Sequence, residues 1–189
     1  MSAPRIVVCG PAASGKSSLC NVFTLGIFPE KYDPTIEDNF RKQIGGRMFE
    51  FIDTAGVEGF SVFRQSAFAN ADAFVLVFSV GFDVDYQVLR PFVEDMVKLR
   101  SGHTLPIALV ANKIDLPEGR KVSTEQGESF AAQIAKHEPF EIFSIEGPVH
   151  YFETSAKTNQ GVEEAFTWVM ENIATPPAPP KPHRRCLLL

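Results

Sequence analysis

Cysteine is scarce in this sequence: 189 residues contain three, Cys9, Cys20 and Cys186, at spacings that suit neither a disulfide framework nor a metal cluster. A reducing, intracellular compartment is therefore expected. Long hydrophobic runs are also missing, since the longest, Ala73 to Phe78, has six residues, too few for a transmembrane helix. The first residues include no long apolar stretch, so we expect no secretory signal.

Basic residues are few in the body of the chain. The net charge is −5, but residues 175–189 contain Lys181, Arg184 and Arg185 and no acidic residue. That segment carries +3, and the rest of the chain, with 15 basic and 23 acidic residues, carries −8. An acidic body argues against nucleic-acid binding, which needs basic residues gathered on one face.

The hydrophobic content of 44% is enough for a packed core, and the length indicates one domain.

Strand-like and helix-like segments alternate along the chain. Strands are expected at 5–9, 40–44, 47–52, 73–80, 105–111 and 151–154. Helices are expected at 16–25, across 88–99, from the capping segment at Ser123 to about residue 136, and at 161–173. Pro91 is expected to start or kink the second of these helices. Gly45-Gly46 indicates a two-residue hairpin, so the pattern predicts an α/β fold with a mostly parallel sheet.

The composition changes after Thr175, where five of the 14 prolines fall within residues 176–182. Such a segment is typical of an extended spacer outside the packed domain. Its PxxP spacing also fits an SH3-type ligand, and both interpretations stay open.

Residues 10–17, with the sequence GPAASGKS, match the pattern GxxxxGK[ST] directly after a strand and at the start of a helix. Glycines at these positions let backbone N–H groups turn toward phosphate oxygens, and the helix N-terminus and Lys16 add positive charge. The Ser17 hydroxyl is the expected Mg²⁺ ligand. A glycine-rich turn without a ligand is the alternative, but the rare pattern in its required context favours a nucleotide triphosphate.

Three further motifs follow strands. Asn112-Lys113-Ile114-Asp115 places a carboxylate where it can accept both N1–H and N2–H of guanine, a pair of donors that adenine lacks. Thr154-Ser155-Ala156-Lys157 fits the same edge of the sheet, where α/β proteins bind ligands. Asp53-Thr54-Ala55-Gly56 provides a carboxylate for the Mg²⁺ shell and a glycine N–H for a terminal phosphate. Together they favour a guanine nucleotide.

These motifs resemble those of the Ras superfamily of small GTPases, over residues 5–174 and the tail. The segment Tyr32-Asp33-Pro34-Thr35-Ile36-Glu37-Asp38 is similar to the effector segment of the Ras branch. The resemblance implies a GTPase domain over 4–174 and a flexible, prenylated tail over 175–189. The implied domain has a six-stranded, mostly parallel sheet with one antiparallel hairpin at its edge, and helices on both faces.

The resemblance also implies roles for individual residues. Lys16, Thr35 and Gly56 would serve catalysis, and Ser17, Thr35 and, through water, Asp53 would bind Mg²⁺. The residues expected to bind GTP or GDP are Gly10, Ala13, Ser14, Gly15, Lys16, Ser17, Ser18, Phe28, Pro29, Tyr32, Thr35, Gly56, Asn112, Lys113, Asp115, Leu116, Ser155, Ala156 and Lys157. Effector proteins would contact Tyr32, Asp33, Pro34, Thr35, Ile36, Glu37, Asp38, Asn39 and Phe40. Guanine-nucleotide exchange factors and activating proteins are the other implied partners.

Two positions depart from the family. Val57 stands where a glutamine usually orients the attacking water, and valine has neither donor nor acceptor for it. Ala12 stands where glycine is usual, so its methyl group would crowd the γ-phosphate and any inserted arginine. We therefore expect a membrane-anchored switch that hydrolyses GTP slowly. The alternative is a GTP-locked scaffold with negligible hydrolysis, whereas a P-loop kinase or ATPase is disfavoured by Asn112 to Asp115.

Two lengths also differ. The stretch from Thr35 to Asp53 is shorter than in Ras proteins, which predicts a trimmed hairpin. The segment 137–150, between the helix that ends at about residue 136 and the last strand, is longer than in Ras proteins. Its apolar side chains either pack onto the fold, which we favour, or form a surface for a partner. His137 and His150 are expected on the surface rather than as ligands.

The last four residues, Cys186-Leu187-Leu188-Leu189, form a Caax box, and the final leucine favours geranylgeranylation of Cys186. One lipid chain binds a membrane only marginally, but the neighbouring basic residues supply a second attraction. The expected location is the cytoplasmic face of the plasma membrane or of an endomembrane. The alternative is that the cysteine stands four residues from the end by chance.

Overall fold

A computed structural model describes residues 2–30, 37–56, 61–100, 102–116, 119–136 and 147–173, with the backbone alone at 61–63. Within these ranges the strands are β1 (Arg5–Cys9), β2 (Glu37–Ile44), β3 (Arg47–Thr54), β4 (Ala73–Ser79), β5 (Ile107–Asn112) and β6 (Val149–Thr154). The helices are α1 (Lys16–Leu25), α2 (Ser61–Ala69), α3 (Tyr86–Arg100), α4 (Thr124–Lys136) and α5 (Val162–Asn172).

The six strands form one sheet in the order β2-β3-β1-β4-β5-β6. Neighbouring strands pair in parallel, except β2 and β3, which form an antiparallel hairpin at one edge. The hairpin closes across Gly45 and Gly46, whose φ angles of 57° and 79° suit a two-residue turn that residues with side chains rarely adopt. The α/β fold and its single antiparallel pair are therefore confirmed.

Helices cover both faces of the sheet, because the central strands are apolar on both sides. One cluster of buried side chains joins β4 and β5 to α2, α3 and α4, with Phe68, Phe74, Leu89, Met96 and Ile134 among its members. The other joins β1 and β3 to α1 and α5, and there Phe23 stacks on Phe166 with ring centroids 4.4 Å apart. Strands buried on both faces are what continuous apolar runs predict.

Several elements differ from the sequence prediction. The helix α2 was not predicted, and β2 begins at Glu37 rather than at residue 40. Pro91 does not start α3, since that helix begins at Tyr86 and contains the proline. The Ser123 cap is confirmed: Gln126 N donates to Ser123 Oγ at 3.2 Å, and Ser123 N donates to Gln126 Oε1 at 2.8 Å.

The predicted long segment 137–150 is described only from Gly147 onward, so the packing of its apolar residues lies outside the described residues. His150 is exposed on β6 and stacks on Trp168 of α5, with ring centroids 5.4 Å apart. His137 lies outside the described residues. None of the helices in the described ranges combines the length and apolar character needed to span a bilayer.

The parallel pairing brings the carboxyl ends of β1, β3, β4, β5 and β6 to the same edge of the sheet. This edge is where open α/β sheets bind their ligands. The chain segments that follow these ends contain the predicted phosphate and guanine motifs. The fold therefore gathers motifs that are more than 130 residues apart in the sequence.

Candidate nucleotide-binding site

The phosphate loop, residues 10–17, joins β1 to α1 and depends on two glycines. Gly10 has a φ of +134°, and a Cβ there would lie 2.0 Å from Val77 O. Gly15 has a φ of +98°, and a Cβ there would lie 2.2 Å from Asn112 Nδ2. Ala13 also takes a left-handed φ of 55°. The positive φ angles, the backbone of Val77 at Gly10 and the side-chain amide of Asn112 at Gly15 therefore exclude larger residues at both glycines, as the motif predicts.

Lys16 is the first residue of α1 and is 6% exposed. Its Nζ donates a hydrogen bond to Pro11 O at 2.9 Å, so the ammonium lies against the loop that contains it. Burial lowers the pKa of Lys16, and the nearby Asp53 carboxylate acts in the opposite direction. A cation held in this way is well placed for anionic oxygens. Ser17 and Ser18 follow it, half-buried in the first turn of α1.

Asp53 and Gly56 bring the end of β3 to the phosphate loop. Asp53 is fully buried beside β1, in register with Val8. Gly56 lies so close to the loop that a Cβ there would be 2.5 Å from Ala12 N. The Ala12 side chain is exposed. The glycine of the DTAG motif therefore contacts the phosphate loop directly.

Asn112, the last residue of β5, connects two loops and is 1% exposed. Its Nδ2 donates to Ser14 O in the phosphate loop at 3.0 Å. Its Oδ1 accepts hydrogen bonds from Thr154 Oγ1 at 3.1 Å and from Ala156 N at 3.2 Å. One buried amide thus joins the phosphate loop to the TSAK loop after β6. A net hydrogen bond is worth about 0.5–1.5 kcal/mol, so the three together hold these loops firmly.

Lys113 and Asp115 contact the same two loops as Asn112 does: Lys113 contacts the phosphate loop, and Asp115 contacts the TSAK loop. Lys113 Nζ donates to Ala13 O at 2.7 Å, and Asp115 Oδ1 accepts a hydrogen bond from Ser155 Oγ at 2.7 Å. Burial lowers the pKa of Lys113, which the charge of Asp115 opposes. Ala156 is buried, whereas Leu116 and Lys157 are exposed. These loops form one continuous surface from the phosphate motif to the guanine motif.

The remaining predicted residues lie farther along the chain or outside the described ranges. Phe28 is 42% exposed and Pro29 is half-buried after α1. Glu37, Asp38 and Asn39 are exposed on the edge strand β2, and Phe40 is half-buried there. The predicted residues outside the described ranges are Tyr32, Asp33, Pro34, Thr35, Ile36, Val57 and Cys186.

Some residues of the site were not predicted. Pro11 provides the carbonyl that accepts from Lys16, and the Thr154 hydroxyl helps to hold the Asn112 amide. Thr158 N donates to Ser155 Oγ at 3.1 Å and so orients the hydroxyl that reaches Asp115. Thr154 is the first residue of the TSAK motif and Thr158 directly follows it, and this placement was the available signal. A backbone carbonyl such as that of Pro11 has no sequence signal.

Ser14 is buried in the phosphate loop, and among the described residues its hydroxyl oxygen has no hydrogen-bond partner.

In a comparison with models of known families, residues 5–175 match the Ras family. The match spans the phosphate loop, the DTAG, NKID and TSAK motifs and every described strand and helix. It confirms the resemblance drawn from the sequence motifs.

Proposed function

The chain belongs to the Ras family, and from this premise we propose that it is a membrane-anchored GTP switch whose hydrolysis step is slow. Members of the family are small GTP-binding switches with GTPase activity. The observation that supports nucleotide binding in this proposal is the buried Asn112 amide, which joins the phosphate loop to the TSAK loop. A single rigid surface can then hold the phosphates and the guanine of one nucleotide.

The donors present suit a bound Mg²⁺. This ion prefers hard oxygen ligands and usually keeps several waters, with one or two protein ligands beside substrate phosphates. The Ser17 hydroxyl in the first turn of α1 and the buried Asp53 carboxylate are such donors. Mg²⁺, when bound, neutralises charge on the phosphate oxygens. Thr35 is the third proposed ligand.

The protein itself supplies positioning. Lys16 brings an ammonium to the phosphates, and the phosphate loop offers its N–H groups at the N-terminus of α1. Gly56 lies against Ala12 and offers a backbone N–H beside the phosphate loop. Asp115, oriented by Ser155, accepts hydrogen bonds from the guanine edge.

Slow hydrolysis is proposed from two residues. Val57 follows Gly56 and has no group that can hydrogen-bond to an attacking water. The methyl group of Ala12 is exposed beside the place where Gly56 meets the loop, and it obstructs an arginine inserted by an activating protein. Such an arginine accelerates hydrolysis by about 10³–10⁵-fold in this class, and its loss raises the barrier by about 4–7 kcal/mol.

Single-turnover GTP hydrolysis tests this proposal. We expect Val57→Gln to hydrolyse bound GTP faster than the wild type, because the amide restores a group that orients water. Val57→Leu is the matched control, since it changes size without adding a hydrogen-bonding group, and should stay slow. Ala12→Gly in the Val57→Gln background should recover stimulation by an activating protein. A wild type as fast as Val57→Gln would refute the role of Val57, and a wild type as fast as a family member with glutamine at this position would refute slow hydrolysis.

A GTP-locked scaffold is the second candidate, favoured by the same two residues. The nucleotide that co-purifies with protein from cells distinguishes the candidates. Mostly GDP supports a slowly cycling switch, and mostly GTP supports the scaffold.

Membrane anchoring is proposed through geranylgeranylated Cys186, assisted by the basic residues before it. Effector proteins would bind Tyr32 to Phe40, of which Glu37, Asp38 and Asn39 are exposed on an edge strand. Exchange factors would reload the switch at the cytoplasmic face of the plasma membrane or of an endomembrane.

Cys186→Ser should move the full chain from the membrane fraction to the soluble fraction without changing nucleotide binding. Unchanged partitioning would refute the anchor.

A further inference from the structure

The segment from Ser79, the last residue of β4, to Phe82 lies directly beside the NKID motif. Val80 N donates to Asn112 O at 3.0 Å, and Val80 O accepts from Lys121 N at 2.6 Å. A Cβ on Gly81 would lie 3.2 Å from Leu116 Cδ1. The backbone of this segment therefore packs against the loop that is proposed to bind guanine, although no predicted motif includes it.

Phe82 is the side chain of that segment that reaches a site residue. Lys113 Nζ lies 5.2 Å from the centroid of the Phe82 ring, within the range of a cation–π contact. The ring is 45% exposed, so burial in the core does not explain its position. An aromatic ring in this place holds a cation at its face, where the ring quadrupole is negative.

Two contacts among the described residues hold the Lys113 ammonium. Its backbone has a φ of +69°, a conformation that is strained for a residue with a side chain. Its ammonium makes one hydrogen bond that spans loops, to Ala13 O in the phosphate loop at 2.7 Å. The Phe82 ring is a second contact for the same ammonium and comes from a third segment of the chain. Together the two contacts fix where the lysine stem lies.

We propose that Phe82 is a positioning residue for guanine-nucleotide retention, which acts by holding the Lys113 side chain in place. The inference rests on the proposed function, because it assumes that Lys113 lies beside the bound base. Phe82 itself need not touch the nucleotide. Its effect is on the rate of nucleotide release, since a lysine that is free to move leaves the base less firmly enclosed.

The test is the release rate of a fluorescent GDP analogue from the full chain in the presence of Mg²⁺. Phe82→Ala should release it about 2- to 5-fold faster, the size of an exposed cation–π contact. Phe82→Leu should behave like alanine, because it keeps apolar volume without a ring. Phe82→Trp should match or slow the wild-type rate. If Phe82→Leu retains the wild-type rate, the ring has no role and the inference is wrong.

A double-mutant cycle separates positioning from general packing. In a Lys113→Met background, which keeps the stem and removes the ammonium, Phe82→Ala should add no further acceleration. A full additive effect would show that Phe82 acts independently of Lys113 and would overturn the inference. Met48→Ala, at an exposed apolar residue on the hairpin, is the control and should release GDP at the wild-type rate.

The result also distinguishes this inference from the proposed function. If the wild type does not retain guanine nucleotides at all, the proposed function fails. If the wild type retains them and Phe82→Ala releases them at the same rate, only the role of Phe82 fails.

Discussion

The Arg64 guanidinium on α2 lies 2.8 Å from the Asp95 carboxylate on α3, and both side chains are largely buried, at 12% and 22% exposed. Arg64 Nε also donates to Asp95 Oδ2 at 2.9 Å, and the guanidinium faces the Phe92 ring at 5.1 Å. The helix that follows residues 57–60 is thus tied to its neighbour by a charged pair and a cation–π contact.

Removing this pair should destabilise the protein. We expect Arg64→Ala to lower the free energy of unfolding by about 1–2 kcal/mol, because Asp95 loses a charged hydrogen-bond donor in a partly buried place. Urea unfolding of the GDP-bound protein measures the change. Arg90→Ala is the control: its pair with Glu94 is more exposed, at 37% and 43%, and its loss should cost less than about 0.5 kcal/mol. Equal costs for both variants would contradict the prediction.

Gly15→Ala should weaken nucleotide binding about tenfold or more, equivalent to about 1.4 kcal/mol. The added methyl group would lie 2.2 Å from Asn112 Nδ2 and displace the amide that bonds to Ser14 O. Isothermal titration calorimetry with GDP and Mg²⁺ measures this loss. Gly26→Ala is matched to it in backbone strain, with a φ of +71°, but meets no atom within 4 Å. It should reduce stability by about 1–2 kcal/mol and leave affinity unchanged.

The strands and the site motifs were predictable where the residues themselves carry the signal. The apolar run of β1 and the glycine after it predicted the bounds of β1 and α1 correctly. The start of β2 was missed because Glu37, Asp38 and Asn39 are exposed and polar, and only backbone pairing with β3 makes them a strand. The helix α2 was missed because small and polar residues prevail in it.

The contacts within the site were less predictable than its motifs. Motifs identified the loops that carry Lys16, Asn112 and Asp115, because phosphate and guanine recognition requires those residue types. The contact between Phe82 and Lys113 depends on how two loops from different strands lie side by side, and no local pattern encodes that. Residues 31–36 and 57–60 lie outside the described residues, so the expected roles of Thr35 and Val57 stay predictions.

Gly127 of α4 should not tolerate alanine, although alanine favours helices by about 1 kcal/mol. A Cβ there would lie 2.4 Å from ring atoms of Tyr151 on β6, so we expect Gly127→Ala to lower the free energy of unfolding by about 1–3 kcal/mol. Urea unfolding tests this, with Tyr151→Leu as the background that removes the ring. In that background Gly127→Ala should be neutral or stabilising. Stabilisation in the wild-type background would contradict the packing argument.

Acid should weaken the hydrogen bonds that the Glu153 carboxylate on β6 accepts from residues at and just before the start of α4. The hydrogen bond from Arg120 lowers the pKa of Glu153, helped by those from Thr124 and Tyr151, although burial raises it. A carboxyl with a lowered folded pKa stabilises the protein above its unfolded pKa of about 4.3, and this contribution is lost as the pH falls through the folded value. The wild type should therefore lose more stability between about pH 5 and pH 3 than Glu153→Gln.

Unfolding free energies measured across this pH range test the prediction. Arg120→Met should also have a shallower pH dependence than the wild type, because it removes the main cause of the lowered pKa. Wild-type slopes in both variants would show that Glu153 does not contribute to acid sensitivity.

Because the amide of Asn112 bonds to the loops on either side of it, distortion of one loop is transmitted to the other. If the two loops hold opposite ends of one nucleotide, as proposed, an exchange factor that displaces the loop around Ser14 would weaken the hold on the base without contacting it.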